Sequence, residues 1–277
     1  MRLVWQLLAV GAIVAIGGQA SLAFEGDHWL VLAISLATVV LSVVVYRWIV
    51  RLTERRTVVE LGRESSVTGT GWGTLFGVAL FGLVILNIAL LGHYEVDGVG
   101  DPEAVIGLLG FMAAAAVSEE LVYRGVLLRI LEQWWGTGLA LAFTSVLFGM
   151  SHLINPNATL WGVTAIAIEA GFMLGAAYIA TRSLWLPIGI HFGWNFAASA
   201  IFSTEVSGNG TPQGLLDAAT SGPMLVSGGE FGPEGSVYSI VFCVLTGIVF
   251  LWLAKRRGRL VPLRRAARAE AVARLPR

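Results

Sequence analysis

The sequence predicts an all-α membrane protein, a polytopic bundle of about eight transmembrane helices. Of its 277 residues, 56% are hydrophobic and only 13% are charged, which is far more apolar than an ordinary soluble domain. The apolar runs reach the roughly 20 residues that a helix needs to cross a hydrocarbon core about 30 Å thick. They are too long and too continuous for the alternating strands of a membrane barrel, so they indicate helices.

The predicted helices follow the apolar runs, which end at charged residues or at Gly, Asn and Pro. The spans cover residues 3–23, 28–50, 72–92, 104–128, 139–155, 161–181, 184–204 and 236–254. We divide the chain into N-terminal helices at 1–103, a core at 104–204, a Gly-rich external loop at 205–235, and a last helix with a basic tail at 236–277. The loop at 205–235 has no apolar periodicity and is expected to be a flexible connection.

The basic residues indicate the orientation. Arg51, Arg55, Arg56 and Arg63 follow the second span and the C-terminal tail is Arg-rich, whereas the loops on the other side carry acids and neither Lys nor Arg. The positive-inside rule therefore places both termini in the cytoplasm. The tail is expected to contact anionic membrane lipid. The net charge of zero gives no reason to expect a nucleic-acid partner.

The start of the chain has a second interpretation. Residues 1–23 also resemble a signal peptide with small residues before Phe24, although we interpret them as the first span. Among the 18 basic residues only Lys255 is a lysine, which favours a GC-rich genome and hence a prokaryotic plasma membrane. The sequence does not indicate an oligomeric state.

Three charges interrupt the fourth span, in the stretch AVSEELVYRG at 116–125. An ionised side chain at a helix centre costs about 2.5–3.5 kcal/mol, so these groups need partners other than lipid. Glu120 and Arg124 are four residues apart on one helical face and can neutralise each other. Glu119 points elsewhere and has no counterion on its own helix. A structural ion pair that fixes helix packing is one interpretation of this cluster.

Polar residues also interrupt the fifth and seventh spans. His152 lies one turn after Phe148, and His191 and Asn195 project from one face of the seventh span. At 1.5 Å per residue from the predicted cytoplasmic ends, Glu119, His191, Asn195 and His152 lie roughly 15, 11, 16 and 20 Å deep. We therefore expect them to meet in the middle to cytoplasmic half of the membrane. Helix packing explains a lone histidine more easily than this set on three helices.

These residue types suit peptide-bond hydrolysis, which needs a base for water and donors for the oxyanion. Glu119 with His152 can activate the water, while His191 with Asn195 can form the oxyanion hole. Two histidines and a glutamate can instead bind zinc, although the HExxH spacing is absent. We expect no cofactor, with Zn as the alternative. The single Cys243 excludes a disulfide framework and a cysteine zinc site.

The three motifs resemble those of the CAAX prenyl endopeptidase and bacteriocin-processing (CPBP, or Abi) family of intramembrane proteases. EELVYR at 119–124 matches EExxxR, FGMSH at 148–152 matches FxxxH, and HFGWN at 191–195 matches HxxxN. The resemblance covers roughly 104–200 and implies an eight-helix fold, a glutamate-dependent mechanism and the residue roles given above. The resemblance leaves open whether a metal ion is required, because family members were long described as metalloproteases. The candidate catalytic residues are Glu119, Glu120, Arg124, His152, His191 and Asn195.

The expected substrate is a peptide or membrane-associated protein cleaved near the cytoplasmic face: a prenylated protein, a bacteriocin leader or a membrane-protein tail. Two other functions use the same residue types. An ion-coupled transporter also carries intramembrane acids and histidines, but it is expected to show duplicated halves, which this sequence lacks. A non-proteolytic immunity scaffold would keep the fold without hydrolysis.

Glu169 on the sixth span is not part of the three motifs. Three interpretations are open for this extra acid. It lies at the substrate cavity near the outer leaflet, or it pairs with Arg124 or another polar group, or it is a protonated structural residue.

Overall fold

The computed structural model describes residues 1–211 and 214–275. Residues 212–213 of the Gly-rich loop and 276–277 of the tail lie outside the described residues. The described chain is a bundle of long apolar helices with one small sheet, which confirms the predicted all-α membrane fold.

Helices make up most of the described chain, and they are numbered in chain order. They are α1 (Arg2–Ala23), α2 (His28–Glu54), α3 (Ser66–Leu90), α4 (Ala104–Glu120), α5 (Arg129–Ser151), α6 (Leu160–Ile166), α7 (Met173–Thr181), α8 (Trp185–Phe196), α9 (Met224–Ser227), α10 (Val237–Arg256) and α11 (Arg265–Arg274). Three π-helical segments continue these helices: Leu121–Leu128 after α4, Ala167–Phe172 after α6, and Ala197–Ile201 after α8. Single 3-10 turns occur at Val59–Leu61, Arg63–Ser65, His152–Ile154, Gly229–Phe231 and Pro233–Gly235.

Six helical segments of the described chain are long and apolar enough to cross a membrane. One of them, Ala104–Ile154, has 51 residues and exceeds a single crossing. Gly136 divides it with φ 78° and ψ 168°, and a Cβ there would lie 2.9 Å from the carbonyl oxygen of Pro262. Glycine adopts this conformation without strain. The count of eight spans stays a prediction, because α8 with its π-helical continuation covers only 185–201.

The bundle has two sides, which we define by the connections they carry. The terminal side holds the start of α1 and the end of α10, and there Arg129 donates to Gln6 Oε1 at 2.9 Å and to Glu54 Oε2 at 2.7 Å. The loop side holds the connections at 91–103, 152–159 and 202–236. Strands β1 (Tyr94–Val99) and β2 (Leu216–Thr220) pair antiparallel on this side.

The Gly-rich loop differs from the flexible connection that its sequence predicts. Its described residues include β2, α9 and two 3-10 turns. The indole nitrogen of Trp161 donates to the Gly235 carbonyl at 2.7 Å, and Asn155 Nδ2 donates to the Ser207 carbonyl at 2.7 Å. The expectation is therefore wrong for the described part: long-range polar contacts order this loop, and sequence periodicity does not report them.

Helices α3 and α8 approach each other through glycines on both helices. A Cβ on Gly77 would lie 2.2 Å from the Ile190 carbonyl oxygen, and one on Gly193 would lie 2.2 Å from that of Thr74. The two backbones are thus in direct contact, as small residues allow in membrane helices. Since residues two apart on a helix point in nearly opposite directions, this packing turns His191 and Asn195 away from α3.

Candidate active site

Glu120 and Arg124 form a buried ion pair at the centre of the bundle. Arg124 Nη1 lies 2.6 Å from Glu120 Oε1, and the side chains are 2% and 0% exposed. Arg124 Nη2 also donates to the carbonyls of Ala170 and Gly171 at 2.7 and 3.2 Å. The predicted pair is present, and it also joins α4 to the π-helical segment 167–172. The buried Arg124 charge is tolerated because a carboxylate and two carbonyls accept from it, whereas Glu120 Oε2 has no hydrogen-bond partner among the described residues.

The pair continues to His191. Its Nδ1 lies 3.0 Å from Glu120 Oε1, and its Nε2 lies 3.8 Å from Glu119 Oε2. Since Glu120 Oε1 also accepts from Arg124, it is a carboxylate oxygen and the imidazole Nδ1 is the donor. Arg124 therefore orients Glu120, Glu120 orients His191, and His191 presents Nε2 to Glu119.

His152 is held by a different contact. It begins a 3-10 turn directly after α5, and its Nδ1 lies 2.8 Å from the Phe148 carbonyl oxygen. A carbonyl only accepts, so Nδ1 carries the proton and the neutral ring has an unprotonated Nε2. The ring centroids of His152 and Phe148 are 4.9 Å apart. The FxxxH spacing thus fixes the imidazole by one backbone hydrogen bond and one ring contact.

One cavity joins the motif residues of three helices. It has a volume of about 40 Å³, and its walls include Glu119, His152, His191 and Asn195. A water needs roughly 10–15 Å³ of such volume, so there is room for a few waters. Glu119 Oε2 has no hydrogen-bond partner among the described residues. The structure brings these four side chains together, whereas Glu120 and Arg124 lie behind the cavity wall.

Glu119 and His152 do not contact each other directly. The ion-pair neighbour of Glu119 among the described residues is His191, so Glu119 and His152 can share a proton only through water in the cavity. His191, which the sequence pairs with Asn195 as an oxyanion donor, also contacts the acid cluster of α4. Contacts between helices decide this pairing, and spacing along one helix does not reveal it.

The cavity lies toward the loop side. Val206, Ser207, Asn209 and Glu234 of the Gly-rich loop line it, and His152 lies beyond the end of α5 on that side. With cytoplasmic termini, a cavity on the loop side lies in the middle to non-cytoplasmic part of the membrane, whereas the depth count expects the middle to cytoplasmic half; both stay predictions. The depth count is the weaker prediction, because it rests on span ends with errors of a few residues.

Glu169 lies in the cavity wall and is 1% exposed. Neither of its carboxylate oxygens has a hydrogen-bond partner among the described residues. The proposed pairing with Arg124 is wrong, since Arg124 binds the backbone carbonyls of the next two residues instead. The structure agrees with a position at the cavity and also with a protonated structural residue, which needs no counterion.

Glu234 is a cavity residue that sequence reasoning missed. Its Oε1 accepts from the indole nitrogen of Trp194 at 2.9 Å, and its Oε2 accepts from the backbone nitrogen and hydroxyl of Ser207 at 2.5 and 2.7 Å. Burial raises the pKa of the Glu234 carboxyl, and these donors oppose that shift. The sequence carries no signal for this role, because a single acid in a Gly-rich loop has no spacing that relates it to the helices.

Zinc does not fit the side chains as they are arranged. Within residues 1–211 and 214–275, no group of three His, Cys, Asp or Glu side chains is placed to hold a metal ion. Glu119 and His191 are close, but the ring of His152 is fixed by Phe148 and the three do not converge on one point. No mechanistic step is therefore drawn through a metal.

Comparison with known proteins supports the identity of the core. Residues 101–197 match the family model described as Rce1-like, type II CAAX prenyl endopeptidase Rce1-like. Neither the curated proteins nor the solved structures gave a significant match. The matched region contains the three motifs and all the helices that carry them, and it supports a CAAX-type intramembrane protease in general terms. The chain is therefore a membrane protein with several apolar helices long enough to span a membrane, and its residues 101–197 are similar to the Rce1-like type II CAAX prenyl endopeptidases.

Proposed function

We propose that this chain is an intramembrane endopeptidase in which Glu119 activates water. The observation that supports this most strongly is the single cavity shared by Glu119, His152, His191 and Asn195, backed by the buried Arg124–Glu120 pair. A few waters fit there, next to a carboxylate oxygen without a protein partner. An intramembrane cluster of this kind is costly to bury, which favours a functional role.

In the proposed reaction, a cavity water lies between Glu119 Oε2 and the unprotonated Nε2 of His152. Glu119 takes a proton from this water while the water oxygen attacks the scissile carbonyl carbon. The carbon–nitrogen bond of the tetrahedral intermediate then breaks, and the leaving amine takes the proton back from Glu119. His152 keeps the attacking water in place and shares its second proton.

The oxyanion is stabilised by donors from α8. Asn195 Nδ2 supplies one hydrogen bond, and His191 supplies the other when its Nε2 is protonated. The carboxylates of Glu119 and Glu120 lie 3.8 and 3.0 Å from the ring and stabilise such an imidazolium. The hydrogen bonds that run from Arg124 through Glu120 to His191 set the direction of this donor. Glu120 and Arg124 act in this proposal as positioning residues.

The position of the cavity on the loop side indicates which kind of substrate can reach it. With cytoplasmic termini, as the positive-inside rule predicts, the cavity faces the non-cytoplasmic half of the membrane. A second, mostly apolar cavity of about 350 Å³ lies between α1, α2 and α4 and shares Phe111, Met112 and Asn209 with the catalytic one. We infer that it admits the apolar part of a membrane-embedded or translocated peptide. This favours such a peptide over a prenylated tail in the cytoplasm.

The test is cleavage of a membrane-peptide library and of a prenylated CAAX peptide by the purified full-length protein. Glu119→Gln and His191→Ala are expected to lower the rate by about 100-fold or more, since general-base and oxyanion terms each contribute roughly that much. Glu230→Gln is the matched control, because Glu230 is exposed in the loop and does not line the cavity. Equal rates in the wild type, Glu119→Gln and His191→Ala would contradict the proposal.

Direct measurement separates the glutamate mechanism from a zinc mechanism, which the described side chains do not fit as they are arranged. Elemental analysis of active protein is expected to find less than one equivalent of zinc, and a chelator is expected to leave the rate unchanged. Stoichiometric zinc together with loss of activity on chelation would replace the glutamate mechanism.

A further inference from the structure

Glu169 is a buried acid in the wall of the catalytic cavity that the proposed mechanism does not use. It lies on the π-helical segment 167–172, is 1% exposed, and forms part of the catalytic cavity wall. Both of its carboxylate oxygens lack a hydrogen-bond partner among the described residues. A buried carboxylate without a partner is unfavourable and takes up a proton instead, whereas a cation that enters the cavity would favour the charged form.

The other charges around Glu169 do not satisfy it. Among the described residues, no Lys or Arg side chain lines this cavity. Arg124, the cation on the neighbouring helix, is used by Glu120 and by two backbone carbonyls. Glu234 shares the cavity, but donors from Trp194 and Ser207 occupy its oxygens.

The cavity therefore carries three carboxyl groups, from Glu119, Glu169 and Glu234, against two imidazoles. Glu119 is assigned to the water and Glu234 is already hydrogen-bonded, so among the described residues of the cavity wall Glu169 is the carboxyl whose two oxygens both lack a partner. A group that donates hydrogen bonds and carries positive charge is the complement of such a wall.

We propose that Glu169 determines substrate specificity by binding a cationic side chain, lysine or arginine, that lies close to the scissile bond of an otherwise apolar peptide. This inference rests on the proposed protease function and names its substrate class. A cation from the substrate supplies the missing partner of Glu169, while apolar flanking residues remain in the lipid-facing part of the site. A substrate without this cation leaves the carboxyl unpaired.

Binding tests the inference without requiring turnover. A set of apolar peptides in which one lysine is moved along the sequence is compared with matched norleucine peptides, using full-length Glu119→Gln protein. The best lysine peptide is expected to bind about 10- to 100-fold more tightly than its norleucine match, as for a charge-assisted hydrogen bond. Adding Glu169→Gln is expected to bring the ratio close to one, whereas Glu169→Asp keeps most of it. Equal affinities of the paired peptides in the Glu119→Gln protein would overturn the inference.

Cleavage by the wild-type protein gives the second readout, the ratio of kcat/KM for each lysine and norleucine pair. Glu169→Gln is expected to remove the lysine preference, and Glu230→Gln is expected to keep the wild-type ratio. A purely structural role of Glu169 would lower both rates together and leave the ratio unchanged, which also overturns the inference. Failure of the protease proposal looks different, because Glu119→Gln would then have no effect on cleavage.

Discussion

Replacing Arg124 by methionine tests the polar core of the site most directly. The guanidinium is 2% exposed and pairs at 2.6 Å with a glutamate that is 0% exposed. Removing one partner of such a buried pair leaves an uncompensated charge and typically costs about 3–5 kcal/mol. The change also removes the donor to the carbonyls of Ala170 and Gly171. We therefore expect Arg124→Met to lower the free energy of unfolding by at least about 3 kcal/mol.

The assay is equilibrium unfolding of the full-length protein in detergent micelles. The chain offers a matched control in Arg274→Met, since Arg274 and Glu270 form a pair of the same i,i+4 spacing with side chains 75% and 66% exposed. Exposed helical pairs contribute only about 0.3–0.5 kcal/mol, so this control is expected to be nearly neutral. The double variant Glu120→Gln/Arg124→Met is expected to be more stable than the sum of its single variants predicts.

Equal effects of Arg124→Met and Arg274→Met would refute the reasoning, because they would show that the buried pair is not formed as described. An additive double variant would refute the direct coupling between Glu120 and Arg124. Loss of cleavage without loss of stability would place Arg124 at the substrate instead of behind His191.

Three further changes test the packing around the site. Gly193→Ala places a methyl group 2.2 Å from the Thr74 carbonyl oxygen. We expect the free energy of unfolding, measured by thermal denaturation, to fall by about 1–3 kcal/mol and cleavage to slow. An unchanged cleavage rate would contradict the close contact of α3 with α8. Gly136→Ala forces a residue with a Cβ to φ 78°. We expect the free energy of unfolding to fall by about 1–3 kcal/mol. Gly11→Ala is the control, because a Cβ on Gly11 would lie in open space. Glu234→Ala removes the acceptor of Trp194 and Ser207; we expect faster proteolysis of the Gly-rich loop, and an unchanged digestion rate would contradict its ordered role.

The sequence was sufficient for the helical bundle, because apolar runs of membrane length report burial in lipid residue by residue. It also predicted the Glu120–Arg124 pair, since two residues on one helix have a fixed geometry. Contacts between helices were harder to predict from the sequence. The position of His191 between Glu119 and Glu120 depends on how α8 packs against α3 and α4, and no spacing within α8 encodes that.

The loop side of the cavity was beyond sequence reasoning for a different physical reason. Glu234 reaches the site through hydrogen bonds to Trp194 and Ser207, and such contacts between a loop and a helix leave no periodic pattern. The polar motifs predicted four side chains on three helices that line one cavity. The side of the membrane on which the cavity lies stays a prediction, because the depth of each group depends on helix ends, which are the least certain part of a span.

The π-helical segment after Glu120 has a consequence for the length of the chain. A π-helical turn contains more residues than an α-helical turn, so one residue deleted within Leu121–Leu128 leaves a chain that can continue as regular helix. Without a deletion, the same sequence in a uniform α-helix would rotate everything after this segment by about 100° per extra residue relative to Glu119. Arg129 would then face away from Gln6 and Glu54, which now hold it on the terminal side. The wider turn thus lets one continuous helix direct Glu119 toward the cavity and Arg129 toward Gln6 and Glu54. A uniform α-helix of the same sequence could not place both side chains in these directions.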